Sequence, residues 1–210
     1  LPEGLKKIEA AAFERCGSLK SITLPSSVET IGSFAFGECG SLASITLSES
    51  LTTIGNNVFD QCEKLASLTL PNSVSTIGDE AFARCKALKS VTLPESLTAT
   101  GWGAFAYCKA LASISIPNSV TAIGDFAFQG CTALKDVTVA WETPLPTYAD
   151  VFNHLTVEEI RLHVPEGKIG AYKAANVFWH YFIVMSDRGD IAGGLEWQMD
   201  AITHTLTLIN

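Results

Sequence analysis

Apolar and small polar residues alternate in short segments that recur along most of the chain. In LKSVTLP, residues 88–94, this alternation predicts a short β-strand with one buried face. Pro94 ends the strand because proline has no N–H group to donate to a ladder. The following P-x-S and I-G signals predict turns, and segments such as EAFARC predict one short helical or 3₁₀ turn.

The whole unit returns every 23 residues without an insertion as far as residue 139. Its phenylalanines are Phe13, Phe36, Phe59, Phe82, Phe105 and Phe128. Its cysteines, which are all the cysteines of the chain, are Cys16, Cys39, Cys62, Cys85, Cys108 and Cys131. Its glycines are Gly32, Gly55, Gly78, Gly101 and Gly124. We expect these glycines to reverse the chain by adopting positive φ. We expect the polar residue after most of them to cap the helical turn, at Ser33, Asn56, Asp79 and Asp125.

One such unit cannot bury its own apolar face, whereas stacked units can. The sequence therefore predicts an α/β solenoid, a right-handed leucine-rich-repeat superhelix. Its parallel β-ladder is expected on the concave side, and short helical or 3₁₀ turns on the other.

The unit resembles the BspA-like, or Treponema pallidum-type, class of leucine-rich repeats, which has 23 residues per repeat. The resemblance rests on L-x-x-I-x-L-P-x-S-V-x-x-I-G-x-x-A-F-x-x-C, which recurs five times in full or nearly so. It implies a bacterial adhesion or protein-binding module of the cell surface that is not an enzyme. Arrays of this family often end with V-P-x-G-x-x-x-x-Y-x-x-A, matched here by Val164, Pro165, Gly167, Tyr172 and Ala175.

Residues 1–164 are predicted to form the solenoid, with six regular coils and one deviant coil. In the deviant coil, continued 23-residue steps place Ile160 and Leu162 beside Val137 and Val139, and His154 where the next cysteine would be.

Residues 165–185 are predicted to be a C-terminal cap, with a helix over the open end of the core. Residues 186–194 are rich in Gly and Asp and predict a linker. Residues 195–210 predict a terminal β-hairpin, which is similar to the first strands of a further module in some family members.

The composition excludes several classes of partner. The 210 residues carry a net charge of −8 with 17% charged residues, and Lys and Arg form no cluster. Nucleic acid is therefore not expected as a partner. No apolar run approaches the roughly 20 residues of a transmembrane helix. No motif for a cofactor is present, and the histidines lack metal-ligand spacing.

The six cysteines form one row on stacking. Equivalent side chains in a row point in parallel, whereas disulfides and zinc sites need ligands that converge. We interpret the row as a structural column of buried thiols that act as small hydrophobes. A catalytic role would need a histidine beside a cysteine, and only Cys131 and His154 would be neighbours.

Two surfaces are candidates for binding. The outward positions of the strands, on the concave face, carry hydroxyl groups, at Ser67, Thr69, Ser90, Thr92, Ser113 and Ser115. Solenoids bind ligands on this face, although Ser and Thr also simply suit exposed strands. The second candidate is an aromatic contact at Trp102 and Tyr107; alternatively, Trp102 folds back to fill volume lost at Thr100. The tripeptide at residues 188–190 spells an integrin motif, and its use stays open.

Two functions follow from these features. The first is a non-catalytic adhesion or interaction module, secreted or at the cell surface, whose extended face meets a protein or glycan. The alternative is a structural spacer or stalk within a larger surface protein, with no ligand of its own. The chain starts within a repeat, which favours a fragment of a longer array, with any signal peptide removed or outside it. No cofactor is expected.

Overall fold

The computed structural model describes residues 1–146, 149–175, 179, 182–186, 196–199 and 206–209. The strands in chain order are β1 Lys7–Ile8, β2 Ser21–Thr23, β3 Thr30–Ile31, β4 Ser44–Thr46, β5 Thr53–Ile54, β6 Ser67–Thr69, β7 Thr76–Ile77, β8 Ser90–Thr92, β9 Ala99–Thr100, β10 Ser113–Ile116, β11 Ala122–Ile123, β12 Asp136–Val139, β13 Arg161–Val164, β14 Ile183–Ser186, β15 Glu196–Met199 and β16 Leu206–Ile209. The helix α1 spans Ile169–Ala174, and 3₁₀ segments span Ala149–Phe152 and Val157–Glu159.

The predicted strands form a parallel ladder, here called the long-strand ladder. It consists of the pairs β2–β4 and β6–β8 and of the four-stranded sheet β10–β12–β13–β14. Its register follows the repeat, because Ser67 pairs with Ser90 and Ser113 with Asp136. The predicted solenoid of stacked parallel strands is therefore confirmed.

A second ladder, which the sequence did not predict, joins the two-residue strands. Strands β1, β3, β5, β7, β9 and β11 form one six-stranded parallel sheet, here called the short-strand ladder. Its Thr-Ile pairs lie where the I-G signal predicted only a turn. The isoleucine, such as Ile54, is buried, and the threonine before it points outward. Two residues are too few to show an alternating pattern in the sequence.

The segment between each short strand and the next cysteine is a run of turns, not the helical turn expected for the regular coils. Alternate N–H groups bond to the next coil, as in Phe36 N to Val58 O at 2.9 Å. The others close four-residue β-turns, as in Cys39 N to Phe36 O at 3.3 Å. Two residues per coil have positive φ, for example Glu80 at 49° and Arg84 at 59°, and this prevents a helix from forming.

The repeated glycines are needed for close approach between coils, and the predicted role of positive φ is wrong. None of the five has φ in the left-handed region. A Cβ atom on Gly101 would lie 2.5 Å from the backbone nitrogen of Asp79, and one on Gly32 would lie 2.6 Å from that of Ala10. Backbones of neighbouring coils therefore touch at this column.

The predicted helix caps instead join neighbouring coils. Asn56 Oδ1 accepts a hydrogen bond from Asp79 N–H at 2.9 Å, and Asp79 Oδ1 accepts one from Trp102 N–H at 2.8 Å. The serines of P-x-S act similarly, since Ser96 Oγ donates to Val74 O at 2.7 Å. Each of these side chains satisfies a backbone group of the adjacent coil.

The core is a stack of phenylalanine rings beside the cysteines. The rings of Phe13 to Phe128 stack with centroids 5.1 to 5.7 Å apart. Phe152 continues the stack 5.4 Å beyond Phe128. Trp179 and Phe182 then meet Phe152 edge-on and end the column. The stack thus extends through the deviant coil.

The register predicted for the deviant coil is wrong. Val137 pairs with Leu162, and Asp136 pairs with Arg161, so the step is 25 residues instead of 23. The two 3₁₀ segments accommodate the additional residues. His154 takes the positive-φ position before the cysteine site, at φ 63°. Leu155 takes the cysteine site itself, because its N–H donates to Phe152 O as Cys131 N–H donates to Phe128 O.

The predicted cap contains a further strand of the ladder. Helix α1 has six residues, and β14 after it pairs in parallel with β13. Tyr172 on α1 is buried and donates its hydroxyl hydrogen to Trp141 O at 2.8 Å. The segment therefore covers the core with a short helix and a strand together, where the sequence predicted a helix.

The C-terminal segments are described only in part. Strands β15 and β16 pair antiparallel, as a hairpin does. The predicted linker beyond Ser186, including residues 188–190, lies outside the described residues. The division of the chain into solenoid, cap, linker and hairpin stays a prediction.

Thr100 places an unpaired polar group in the short-strand ladder, and replacing it with an apolar residue should stabilise the fold. Its Oγ1 is buried and has no hydrogen-bond partner among the described residues, while Ile77 and Ile123 flank it on β7 and β11. We expect Thr100→Ile to raise the free energy of unfolding by about 1 kcal/mol, measured by urea denaturation, because an unpaired buried hydroxyl is removed. The control is Thr98→Ile, at an exposed residue, which should bring no gain. Equal stability of Thr100→Ile and the parent would contradict this account.

Candidate functional site

The outward side chains of the long-strand ladder form the strand face, which is the main candidate surface. Its hydroxyl residues are exposed while the residue between them points into the core, as in Ser90, Val91 and Thr92. Strand pairing aligns Ser67 with Ser90 and Thr69 with Thr92. The candidate residues Ser113 and Ser115 continue the two rows on β10. The rows expose donors and acceptors that the fold does not use.

An open groove interrupts the strand face between β4 and β6. These strands belong to different two-stranded sheets, so no ladder joins them. The groove has a volume of about 370 Å³. Its lining includes Ser44, Thr46, Ser67, Thr69 and Glu49. The interruption could not be predicted from the sequence, because the repeat is regular there.

A charged cluster ends the two hydroxyl rows on β12 and β13. Arg161 Nη2 lies 2.6 Å from Asp136 Oδ2, and His163 Nε2 lies 2.9 Å from Asp136 Oδ1. Hydrogen bonds from His163 and then from Arg161 hold the pKa of Asp136 below its usual value. Sequence reasoning missed Arg161 and His163, because the 25-residue step moves them out of the repeat. Asp136 at a serine position was the available signal.

Lysines lie beside the strand face. Lys20, Lys89 and Lys135 are exposed at the position before the strand. Lys135 Nζ pairs with Glu159 Oε2 at 2.8 Å across the deviant coil. This ion pair lies beside the cluster of Asp136, Arg161 and His163, so the ion pairs of the strand face lie near its C-terminal end.

The cysteine column is hydrogen-bonded to the backbone, which goes beyond its expected role as a filler. The thiols of Cys62, Cys85 and Cys108 lie 3.1 to 3.2 Å from the phenylalanine carbonyl oxygen of the preceding coil, to which they donate. That oxygen also accepts an N–H group from its own coil. A cysteine is small enough to reach this carbonyl between two closely stacked coils. No disulfide is present among the six cysteines.

Burial makes most of these thiols unreactive. Desolvation raises the pKa of Cys131 to about 12 and raises the pKa of Cys85 and Cys108 well above the usual value. Cys16 is the exception and corrects the prediction of a fully buried column. Cys16 is exposed, whereas the other five cysteines are buried.

The aromatic candidates separate in the structure. Trp102 is 46% exposed and packs edge-on against Phe126, with ring centroids 5.5 Å apart. It therefore does not fill volume at Thr100. Tyr107 is half-buried, and its ring lies over Gly130, where a Cβ atom would come within 2.6 Å of it. The ring that packs against the exposed Trp102 belongs to Phe126, which is itself half-buried and which the sequence did not single out.

Neither a metal-ligand cluster nor a membrane-spanning helix lies in the described part of the chain. It contains no group of three His, Cys, Asp or Glu residues placed to hold a metal ion. It also contains no helix with the length and apolar character needed to span a membrane. His154 lines a shallow cavity of about 150 Å³ beside Lys135 and Glu159.

Comparison with known sequences identifies the repeat. The model of the family described as BspA type Leucine rich repeat region matches six copies, over residues 1–82 and 54–173. The search of curated proteins gives no match.

Several solved structures are similar to the chain. A leucine-rich repeat protein of T. pallidum has 32% identity and a TM-score of 0.44, over 64% of this chain and 52% of that one. A leucine-rich repeat protein from Bacteroides ovatus has 24% identity and a TM-score of 0.44, over 76% of this chain and 59% of that one. The pneumococcal vaccine antigen PcpA has 16% identity and a TM-score of 0.48, over 87% of this chain and 59% of that one. The chain thus spans between half and three fifths of these relatives.

Burial of the thiol column should limit alkylation of the native protein. In native protein treated with iodoacetamide we expect one modified cysteine, Cys16, because the other five thiols are buried and protonated. Intact-mass measurement should show one adduct without denaturant and six adducts in guanidinium. The Cys16→Ser variant should show none in the native state. Two or more rapid adducts on native protein would contradict the burial of the column.

Proposed function

The chain belongs to the BspA type leucine-rich repeat family, and we propose that it serves as a non-catalytic interaction module. Its partner in this proposal is a protein or a glycan, met at the cell surface or in the extracellular space. Adhesion of this kind is what the family resemblance implies. The strand face is the surface assigned to binding.

The register of the strand face carries this proposal. Strand pairing aligns exposed hydroxyl groups in two rows within β2–β4 and within β6–β8, and β10 carries the same two hydroxyl positions, while only the apolar residues between them are used by the core. Hydroxyl rows alone lack the Arg or aromatic anchors that dominate binding energy. Arg161, with its side chain half exposed at the end of the rows, supplies such an anchor. Asp136 holds its guanidinium in place, which lowers the entropy lost on binding.

The test compares two variants of equal charge. The wild-type chain is immobilised and exposed to extracellular matrix proteins and glycans, and retained partners are measured by surface plasmon resonance. Ser90→Arg with Thr92→Arg places two bulky side chains on the strand face. We expect this variant to bind at least about tenfold more weakly.

The matched control is Thr98→Arg with Thr121→Arg, at exposed residues before β9 and β11, and it should bind normally. Circular dichroism should show the same fold for both variants. Equal binding by both would remove the strand face from the proposal. If the wild-type chain retains no partner, the competing function is supported, which is a structural spacer built of near-identical coils.

A further inference from the structure

The run of turns carries the exposed Trp102, packed against the half-buried Phe126, beside carboxylates. This aromatic–acidic patch consists of Trp102, Phe126, Asp79, Glu80 and Asp125. It lies between the short-strand ladder and the cysteine column, so it belongs to a different segment of each coil from the strand face. Its function would be independent of binding at the strand face.

The aromatic residues of the patch are not needed for the fold. Trp102 occupies a position that is polar in the other regular coils from the second to the sixth, at Ser33, Asn56, Asp79 and Asp125. Phe126 occupies a position that is Asn57, Glu80 or Gly103 in the three preceding coils and Phe34 in the second coil. Those coils form the same backbone bonds with the polar residues. Because exposed aromatic area is unfavourable in water, these two residues add surface that suits contact with another molecule.

Local contacts hold Trp102 in place at the surface. The backbone N–H of Trp102 donates to Asp79 Oδ1 at 2.8 Å, and the indole ring meets the ring of Phe126 at an interplanar angle of 63°. Nearly half of the side chain is left exposed. An indole that is already fixed in position loses little conformational entropy on binding.

The carboxylates beside Trp102 lack cationic partners. Asp79 and Asp125 are exposed one coil before and one coil after it, and neither forms an ion pair within the described residues. Stacked coils are separated by about 4.8 Å, so both lie close to the indole. Glu80 approaches Arg84 at 3.6 Å. The patch therefore combines aromatic surface with uncompensated negative charge.

Aromatic surface together with negative charge favours some binding partners of the patch over others. A second copy of the chain would bring its own carboxylates against these, and an anionic surface would likewise be repelled. A cationic side chain satisfies both features, because it is attracted to an aromatic face and to a carboxylate. We propose that the aromatic–acidic patch binds a Lys- or Arg-containing segment of a partner protein, with a cationic side chain packed on Trp102 and paired with Asp79 or Asp125.

The experiment uses a fluorescein-labelled peptide in which Arg and Lys alternate with Gly. The full chain is titrated into this probe, and binding is followed by fluorescence anisotropy. We expect Trp102→Ala to weaken binding by at least about fivefold, because it removes the aromatic contact without changing the charge. Attraction by net charge alone would leave this variant unaffected.

A charge variant tests the second element of the proposal. Asp79→Asn with Asp125→Asn should keep the fold, since Asn56 already makes the same backbone hydrogen bond one coil earlier. We expect weaker binding and a shallower dependence of the affinity on salt, because two screened attractions are lost.

Phe34→Ala is the matched control. Phe34 is 43% exposed at the same repeat position as Phe126, and its neighbours Ser33, Asn56 and Asn57 are uncharged. This variant should bind the peptide as the wild-type chain does. The proposal is overturned if Trp102→Ala binds equally well, if a Glu–Gly peptide of the same length binds as tightly, or if the wild-type chain does not bind. Tighter binding of a neutral oligosaccharide would assign the patch to glycans instead.

Discussion

Contact between the backbones of successive coils is the constraint on which the rest of the structure depends. At the glycine column, one coil lies so near the next that a single added carbon atom would overlap it, as at Gly101. This approach lets the short strands and the runs of turns exchange backbone hydrogen bonds from coil to coil, and the long strands do so within the pairs β2–β4 and β6–β8. It also requires equal coil lengths, which is why the unit keeps 23 residues without an insertion through the regular coils.

The same spacing determines which side chains satisfy the polar groups between coils. Short side chains reach the next backbone directly, through the thiol of Cys85, the hydroxyl of Ser96 and the amide oxygen of Asn56. Stacked phenylalanine rings fill the space between them. The cysteines thus contribute a small donor in a dry core, and their high pKa keeps them as thiols.

The repeat period was sufficient to predict three features. These are the solenoid, the long strands with exposed hydroxyl groups such as that of Ser90, and the row of thiols. These features depend only on which residues coincide when units stack. The role of Gly101 depends on an intercoil distance, which periodicity does not contain. The cluster of Asp136, Arg161 and His163 escaped prediction because the chain leaves its period there. The candidate binding residues that the sequence did not predict therefore lie on surfaces that depart from the repeat.

The measurement that tests the central claim most directly is the stability of Gly101→Ala against that of Gly40→Ala. A Cβ atom at Gly101 would overlap the preceding coil, whereas one at Gly40 would meet no atom within 4 Å, and neither glycine has positive φ. Urea denaturation should show Gly101→Ala destabilised by at least about 2 kcal/mol and Gly40→Ala within about 0.5 kcal/mol of the parent. Equal stability of the two variants would contradict the claim that backbone contact between coils determines this fold.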